Sequence, residues 1–179
     1  FEQLASIKDT VTIPKVLMGY INPVLQFGFE RFCQKCAEVG VSGLILPDLP
    51  PIEFEKKYQE ILRKYNINFS FLVTPETSES RVQYLDSLSS GFLYAVSSSS
   101  TTGNENAQLK NENYLERLAS LGLKNPVFVG FGIKNKEDFD SVTEKLQGGI
   151  IGTAFVKTIL EKENWEIKAT EFIKSIKNK

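Results

Sequence analysis

The chain alternates short, continuous apolar runs with amphipathic stretches along most of its length, and this rhythm constrains the fold more than any other feature. The apolar runs lack period-two alternation, which indicates parallel strands that are covered on both faces. Their spacing is typical of βαβ units, in which a helix crosses from one parallel strand to the next. We predict strands at Val16 to Gly19, Gly43 to Leu46, Phe69 to Val73, Phe92 to Val96, Val127 to Gly130 and Gly149 to Ile151.

Two α/β architectures fit this repeat, the closed eight-stranded barrel and the open doubly wound sheet. Six units are too few for a whole barrel, but an open sheet typically has a glycine-rich nucleotide turn after its first strand. Here that position reads Gly19-Tyr20-Ile21-Asn22-Pro23. We therefore favour a (β/α)8 TIM barrel represented by strands 3 to 8, a single partial domain over residues 1–179 without its two N-terminal βα units. A complete six-stranded open fold is the alternative.

The amphipathic stretches predict the helices that connect these strands. A further helix begins near Thr153. The others are predicted at Glu30 to Val39, Glu53 to Tyr65, Ser78 to Leu88, Asn113 to Leu121, Lys136 to Lys145 and Trp165 to Ile176.

Composition excludes several classes of function. The 21 basic and 22 acidic residues are interspersed and leave a formal net charge of −1, so nothing indicates nucleic-acid binding. No apolar run approaches the roughly 18 residues of a membrane helix, and the first residues do not resemble a signal peptide, so we expect a cytoplasmic protein. The chain has no histidine, which excludes a Ser-His-Asp triad and His-ligated metal and leaves proton transfer to carboxylates, tyrosine or lysine.

Cys33 and Cys36 form a C-x-x-C motif, which could indicate redox or metal chemistry. The chain offers no further cysteine or histidine to complete a zinc site. A thioredoxin-like pair belongs at a helix N-terminus after a strand, whereas these cysteines follow residues that are already helical in pattern. We therefore expect a structural role and no metal.

Glycines at the ends of the last two predicted strands indicate a phosphate site. Gly132 lets the backbone approach an anion closely, and Gly152 with Thr153 opens a helix whose free N–H groups and positive end would face it. Barrels bind phosphate in the loops after their last two strands. No lysine is required for this cradle, and Lys134 and Lys157 lie beyond the glycine turns, where a Schiff-base role is not expected. Phe131 is better placed as a core residue than as a pocket wall.

Other strand ends supply candidate site residues. Tyr20 and Asn22 follow the first strand, and Tyr94 lies within the fourth. Asp48 stands between prolines in a stiff turn that suits a positioned carboxylate, or else it caps the helix that begins near Glu53.

A polar segment from Ser97 to Asn113 follows the fourth strand and is long for a connection in a compact domain. Segments of this kind act as lids over a substrate or are simply solvated loops.

The strand ends, taken together, closely resemble the α-subunit family of tryptophan synthase across essentially the whole chain. The joint order and spacing carry the resemblance. The segments are Met18-Gly19-Tyr20-Ile21-Asn22-Pro23-Val24, Gly43-Leu44-Ile45-Leu46-Pro47-Asp48-Leu49-Pro50, Gly130-Phe131-Gly132-Ile133 and Ile151-Gly152-Thr153-Ala154.

The resemblance implies a lyase of tryptophan biosynthesis that cleaves indole-3-glycerol phosphate to indole and glyceraldehyde 3-phosphate by acid/base retro-aldol chemistry. It implies no cofactor or metal in this subunit. It also implies an α2β2 heterotetramer, in which a pyridoxal-phosphate-dependent β subunit takes the indole and contacts the loops of Asn22 and Pro50.

Matching the family's motifs residue by residue gives the expected site. The phosphate would lie on backbone groups of Gly103, Gly132, Gly152 and Thr153. Thr102 would be the lid threonine, and Tyr94 would support catalysis. The indole pocket and glycerol end would be lined by Phe131, Tyr94, Met18, Ile45, Leu72, Tyr20 and Asp48.

The sequence departs from the family in two respects. The essential glutamate and aspartate belong to the second barrel strand and its loop, and Phe1 aligns with the helix before the third strand. We therefore expect a fragment that is inactive alone. In addition, the stretch Ser97 to Gly103 has serine where the family usually has a hinge glycine. A non-catalytic phosphate-binding or partner-activating subunit, and another phosphosugar barrel enzyme, are the alternatives.

Overall fold

The structure, a computed structural model, describes residues 1–96, 105–130, 132–160 and 163–177, with the backbone alone for residues 105–111. The chain forms two compact units. The first unit comprises Phe1–Leu72 with Ser80–Leu93, and the second comprises Val73–Glu79 with Tyr94–Lys179.

The first unit contains a parallel sheet of strands β1 (Val16–Met18), β2 (Gly43–Ile45) and β3 (Asn68–Phe69), in that spatial order. All three residues of β2 are buried, as expected for a strand covered on both faces. The parallel pairing and the strand positions predicted from the first two apolar runs are confirmed.

Helices surround this sheet, and some of them are not predicted by sequence pattern. The predicted helix from Glu53 to Tyr65 begins at Pro51 and includes a π-helical turn at Phe54–Tyr58. Helix α2 has Pro23 in its first turn, where the missing N–H is tolerated. Because proline is otherwise typical of loops and turns, this helix is easily mistaken for a loop in the sequence. The helices are α1 (Glu2–Ser6), α2 (Ile21–Phe27), α3 (Phe29–Glu38), α4 (Pro51–Glu53), α5 (Gln59–Lys64) and α6 (Glu79–Leu88).

The prediction of one continuous strand from Phe69 to Val73 is wrong. The structure has two short strands there, β3 and β4 (Leu72–Val73), with an interruption between them. Serine hydroxyls replace ladder hydrogen bonds at the interruption. Ser90 Oγ accepts the Phe69 N–H at 3.0 Å, and Ser89 Oγ accepts the Phe71 N–H at 3.3 Å. Ser70 Oγ accepts the Phe92 N–H at 3.2 Å. The backbone is therefore satisfied without regular strand pairing.

Aromatic rings and the two cysteines fill the core of the first unit. The rings of Phe54, Phe69 and Phe71 lie 4.6 to 5.1 Å apart between centroids. Cys33 and Cys36 lie within α3, are fully buried and are not bonded to each other. Desolvation raises the pKa of Cys33 to about 12 and that of Cys36 to about 11, so both thiols stay protonated and unreactive at neutral pH.

The second unit is built on the other sheet, of spatial order β4, β5 (Leu93–Ala95), β6 (Val127–Val129) and β7 (Gly148–Gly149). Strands β6 and β7 are parallel, with Phe128 opposite Gly148. The last strand lies slightly earlier than the predicted Gly149 to Ile151. Phe128 explains the small residue at the start of β7, because its ring lies 3.1 Å from the position that a Cβ on Gly148 would take.

The helices of the second unit are α7 (Glu105–Ser120), α8 (Lys136–Thr143), α9 (Thr153–Leu160) and α10 (Trp165–Lys177). Helix α7 begins eight residues before the predicted Asn113. The segment Ser97 to Asn113 is therefore not a lid or loop throughout, because its residues from Glu105 onward are helical. No helix in the described part of the chain is long and apolar enough to cross a membrane.

Two side chains of α7 bind the loop after β4. The buried Tyr114 hydroxyl donates a 3.0 Å hydrogen bond to the Val73 carbonyl. The Arg117 guanidinium donates a 2.8 Å hydrogen bond to the Pro75 carbonyl and lies over the Tyr114 ring. The bond from Arg117 is charge-assisted and therefore stronger than a neutral one, and together the two bonds fix α7 against the end of β4.

Candidate functional site

The ends of β5, β6 and β7 are joined by backbone hydrogen bonds that continue past the strands. The Gly130 N–H donates to the Ala95 carbonyl at 3.0 Å, and the Ile150 N–H donates to the Val129 carbonyl at 2.7 Å. Because these bonds join the carboxyl ends of the three strands, the segments that follow them open at the same edge of the sheet. This is the edge at which parallel α/β folds bind ligands.

Tyr94 and Gly130 are in close contact at this edge. A Cβ on Gly130 would lie 1.7 Å from a carbon of the Tyr94 ring, so glycine is required there. The Tyr94 hydroxyl lies 3.4 Å from the Gly130 carbonyl, to which it can donate. Burial raises the pKa of Tyr94, so the phenol remains protonated and able to donate at neutral pH.

A cavity of about 530 Å³ lies beside this contact. It brings together four residues that the sequence predicts for the site, Tyr94, Gly132, Gly152 and Thr153. Among the residues that the structure describes, no atom lies within 4 Å of the positions that a Cβ would take on Gly132 and Gly152, so the described backbone is open there. Gly132 has φ +69°, which favours glycine. The described residues of the lining are Tyr94, Gly130, Gly132, Ile133, Lys134, Ile150, Gly152, Thr153, Ala154 and Lys157.

Helix α9 begins at the cavity. The Gly152 carbonyl accepts the Val156 N–H at 3.0 Å, which closes the first turn of the helix. The N–H groups of the first helical residues have no intrahelical acceptor and carry the positive end of the helix dipole. Thr153 and Ala154 thus present anion-binding backbone groups beside open glycine backbone.

A second helix N-terminus fixes the loop that contains Gly132. The side chain of Asn135 caps α8 by accepting the Asp138 N–H at 2.9 Å. Asp138 Oδ2 in turn accepts the Lys134 N–H at 2.9 Å. These reciprocal bonds hold the short segment between Gly132 and α8 in one conformation, so that one wall of the cavity is fixed without a ligand.

Lys134 and Lys157 also line the cavity, and sequence reasoning did not place them there. Lys157 could have been found from helical spacing, since it is four residues after Thr153 and therefore on the same face of α9. Lys134 gives no such signal, because its side chain is placed by the turn between Gly132 and the Asn135 cap.

In the first unit, the structure brings two pairs of predicted site residues together. Met18 and Ile45 are register partners in β1 and β2, and Met18 is 59% exposed whereas Ile45 is buried. Tyr20 is exposed and directly precedes Ile21, whose backbone N–H donates to the Asp48 carboxylate. Leu72, at the end of this unit, is half-buried.

Asp48 caps a helix, but not the one that the sequence suggested. Its two carboxylate oxygens lie 2.9 and 3.2 Å from the Ile21 nitrogen and accept the N–H at the start of α2. The helix that begins at Pro51 has no side-chain cap. The alternative prediction that Asp48 caps the helix near Glu53 is therefore wrong, and the carboxylate connects the ends of β1 and β2 instead.

Three predicted site residues, Thr102, Gly103 and Phe131, lie outside the described residues. Within the described ranges, no group of three or more acidic or cysteine side chains could hold a metal ion.

Comparison with known proteins identifies relatives of this chain. The family profile described as the tryptophan synthase alpha chain matches residues 1–179. The tryptophan synthase alpha chain of Flavobacterium johnsoniae is 48% identical over 181 residues, which is 99% of this chain and 70% of that protein. That of Christiangramia forsetii is 47% identical over 178 residues, covering 99% of this chain and 69% of the relative.

Solved structures agree with these relatives. The tryptophan synthase A-subunit of Pyrococcus furiosus superimposes with a TM-score of 0.84 at 30% identity, covering 97% of this chain and 70% of that one. A chain of the tryptophan synthase complex from the same organism gives a TM-score of 0.81 at 29% identity, covering 97% and 69%. The chain thus spans about 70% of the length of these proteins.

The contact between the Tyr94 ring and Gly130 can be tested by substitution. We expect Gly130→Ala to lower the free energy of unfolding by about 1–3 kcal/mol, because the Tyr94 ring must be displaced. Gly19→Ala is the matched control, since no atom of a described residue lies within 4 Å of its Cβ position and its φ is not positive. Urea denaturation monitored by circular dichroism measures both. Equal unfolding midpoints for the two variants would contradict the contact.

Proposed function

Because this chain belongs to the tryptophan synthase alpha chain family, we propose that its second unit holds the phosphate end of indole-3-glycerol phosphate. The family cleaves this substrate to indole and glyceraldehyde 3-phosphate in tryptophan biosynthesis, by acid/base retro-aldol chemistry. It needs no cofactor, and pyridoxal phosphate belongs to the β subunit.

The observation that carries the proposal is the open backbone around the cavity. Gly132 and Gly152 leave room for phosphate oxygens, and Thr153 begins a helix whose positive end faces the same space. A phosphate there would accept backbone hydrogen bonds from preorganised donors, which cost little reorganisation on binding. Gly103, matched to the family's phosphate site, completes the cradle in this proposal.

The remaining site assignments rest on the family resemblance. The resemblance assigns Phe131 and Tyr94, with the apolar residues Met18, Ile45 and Leu72, to the indole pocket. Tyr20 and Asp48 stand near its glycerol end. Thr102 is the lid threonine. Tyr94 supports catalysis as a neutral donor, consistent with the raised pKa of its phenol.

Bond cleavage needs an acid at indole C3 and a base at the glycerol hydroxyl, and such groups typically contribute about 10² to 10⁴ each. The family's essential glutamate and aspartate are not among these 179 residues. We therefore propose that this polypeptide alone binds substrate without cleaving it. The loops of Asn22 and Pro50 face the β subunit, the partner with which the family works.

The strands belong, in this proposal, to positions 3 to 8 of the family's TIM barrel. Strand β1 lies at the edge of the three-stranded sheet. Its side chains Val16 and Met18 are 41% and 59% exposed. Natural edge strands are usually covered or charged, so apolar exposure here suits a strand that another βα unit covers.

Replacing Gly152 tests the phosphate assignment. We expect Gly152→Ala to bind indole-3-glycerol phosphate about tenfold more weakly, because the methyl group takes the space of a phosphate oxygen. The free energy of unfolding should change by less than about 0.5 kcal/mol, since the new Cβ meets no atom in the described part of the chain. Isothermal titration measures binding, with Gly19→Ala as the control that should bind normally. Unchanged affinity in Gly152→Ala would contradict the proposal.

Complementation tests the acid/base and barrel assignments together. The 179-residue polypeptide alone should release no indole. Addition of a separate fragment with the first two βα units of the Flavobacterium johnsoniae relative should restore release, measured by indole absorbance. The same fragment with its glutamate and aspartate changed to alanine is the matched control and should not restore it. Indole release by the polypeptide alone would show that catalytic groups lie within it.

A further inference from the structure

Two lysines line the cavity that we assign to phosphate, and we propose that Lys134 and Lys157 bind the dianion through their ammonium groups. The inference rests on the proposed function and extends it, because the backbone cradle of Gly132, Gly152 and Thr153 is formally neutral. The lysines would supply the charge that this cradle lacks.

Their positions place both side chains at the same opening. Lys157 is one helical turn after Thr153, on the face of α9 that meets the cavity together with Ala154. Lys134 is two residues after Gly132 and directly before the Asn135 cap of α8. The two lysines therefore approach the cavity from two different elements, Lys157 from α9 and Lys134 from the turn before α8.

The charge of the lining fits a phosphate ester. Among the described residues, ten form the lining, and these include the two lysines and no carboxylate, giving them a formal charge of +2. A phosphate monoester carries about −1.5 to −2 at neutral pH. No other described residue forms an ion pair with either ammonium group, whereas the neighbouring Lys136 binds Asp140 at 2.6 Å.

The start of α9 offers an anion the positive end of a helix dipole. This helix has no acidic residue in its first turn, so the positive end is not already neutralised there. Lys157 lies in the last turn of the same helix, where the dipole favours a cation. Helix α8 has Glu137 and Asp138 in its first turn, and Asp138 accepts the backbone N–H of Lys134. The start of α9 and the ammonium group of Lys157 would therefore both stabilise an anion in the cavity.

The functional consequence is that the affinity for phosphate depends on the positive charge of the two lysines. A lysine ammonium is a mobile point charge that adapts to a tetrahedral anion without fixed geometry. It also raises the association rate of a negatively charged substrate, and this effect weakens as salt screens it. Binding by the backbone cradle alone would depend much less on ionic strength.

Phosphate binding by glutamine variants tests the inference. We expect Lys157→Gln and Lys134→Gln each to raise the Kd for inorganic phosphate about three- to tenfold at low salt, with a flatter salt dependence. Lys157→Arg should retain most of the affinity. Lys174→Gln, an exposed lysine on α10 that does not line the cavity, is the matched control for loss of one positive charge.

The measurement is isothermal titration of the full 179-residue chain at low and high salt, with folding of each variant checked by circular dichroism. Wild-type binding together with unchanged affinity in both glutamine variants would overturn the lysine assignment and leave the proposed function standing. Failure of the wild-type chain to bind phosphate would overturn the proposed function, and the lysine assignment with it.

Discussion

The contact between the Tyr94 ring and the Gly130 backbone is the constraint on which the candidate site depends. It holds the ends of β5 and β6 together with the Gly130 to Ala95 hydrogen bond, and it leaves no room for a side chain at position 130. The next strand is joined by the bond from Ile150 to Val129. The backbone at Gly132 and Gly152 is therefore held by the strands that precede it. Its N–H groups are preorganised as hydrogen-bond donors and do not depend on mobile side chains.

Much of the fold follows from apolar patterning, because buried parallel strands need continuous apolar runs and the chain contains them. Apolar patterning does not predict the structure correctly where polar side chains, and not a neighbouring strand, accept the hydrogen bonds of backbone N–H groups. Ser70, Ser89 and Ser90 interrupt the third predicted strand in this way. It fails again at α2, whose first turn contains Pro23, and at α7, which begins at Glu105 within a polar segment that resembles a loop.

The candidate site was predictable where backbone chemistry dictates the residue. Gly132 is favoured by its positive φ, and Gly152 by the close approach of a phosphate in the proposed site, and such demands are visible as glycines in a sequence. Side-chain partners across long sequence separations are not visible. Asp48 binds the N–H of Ile21, 27 residues earlier, and Lys134 joins the cavity through a turn whose geometry no periodicity encodes.

In the proposed function, the backbone after β6 and β7 holds the phosphate of indole-3-glycerol phosphate. Amide chemical shifts of the 15N-labelled chain during titration with this substrate measure that binding residue by residue. The largest changes should occur at Gly132, Gly152 and Thr153, and inorganic phosphate should reproduce them. Changes confined to the first unit, for example at Ile21 and Asp48, or no change at the three amides, would show that the phosphate binds elsewhere or not at all.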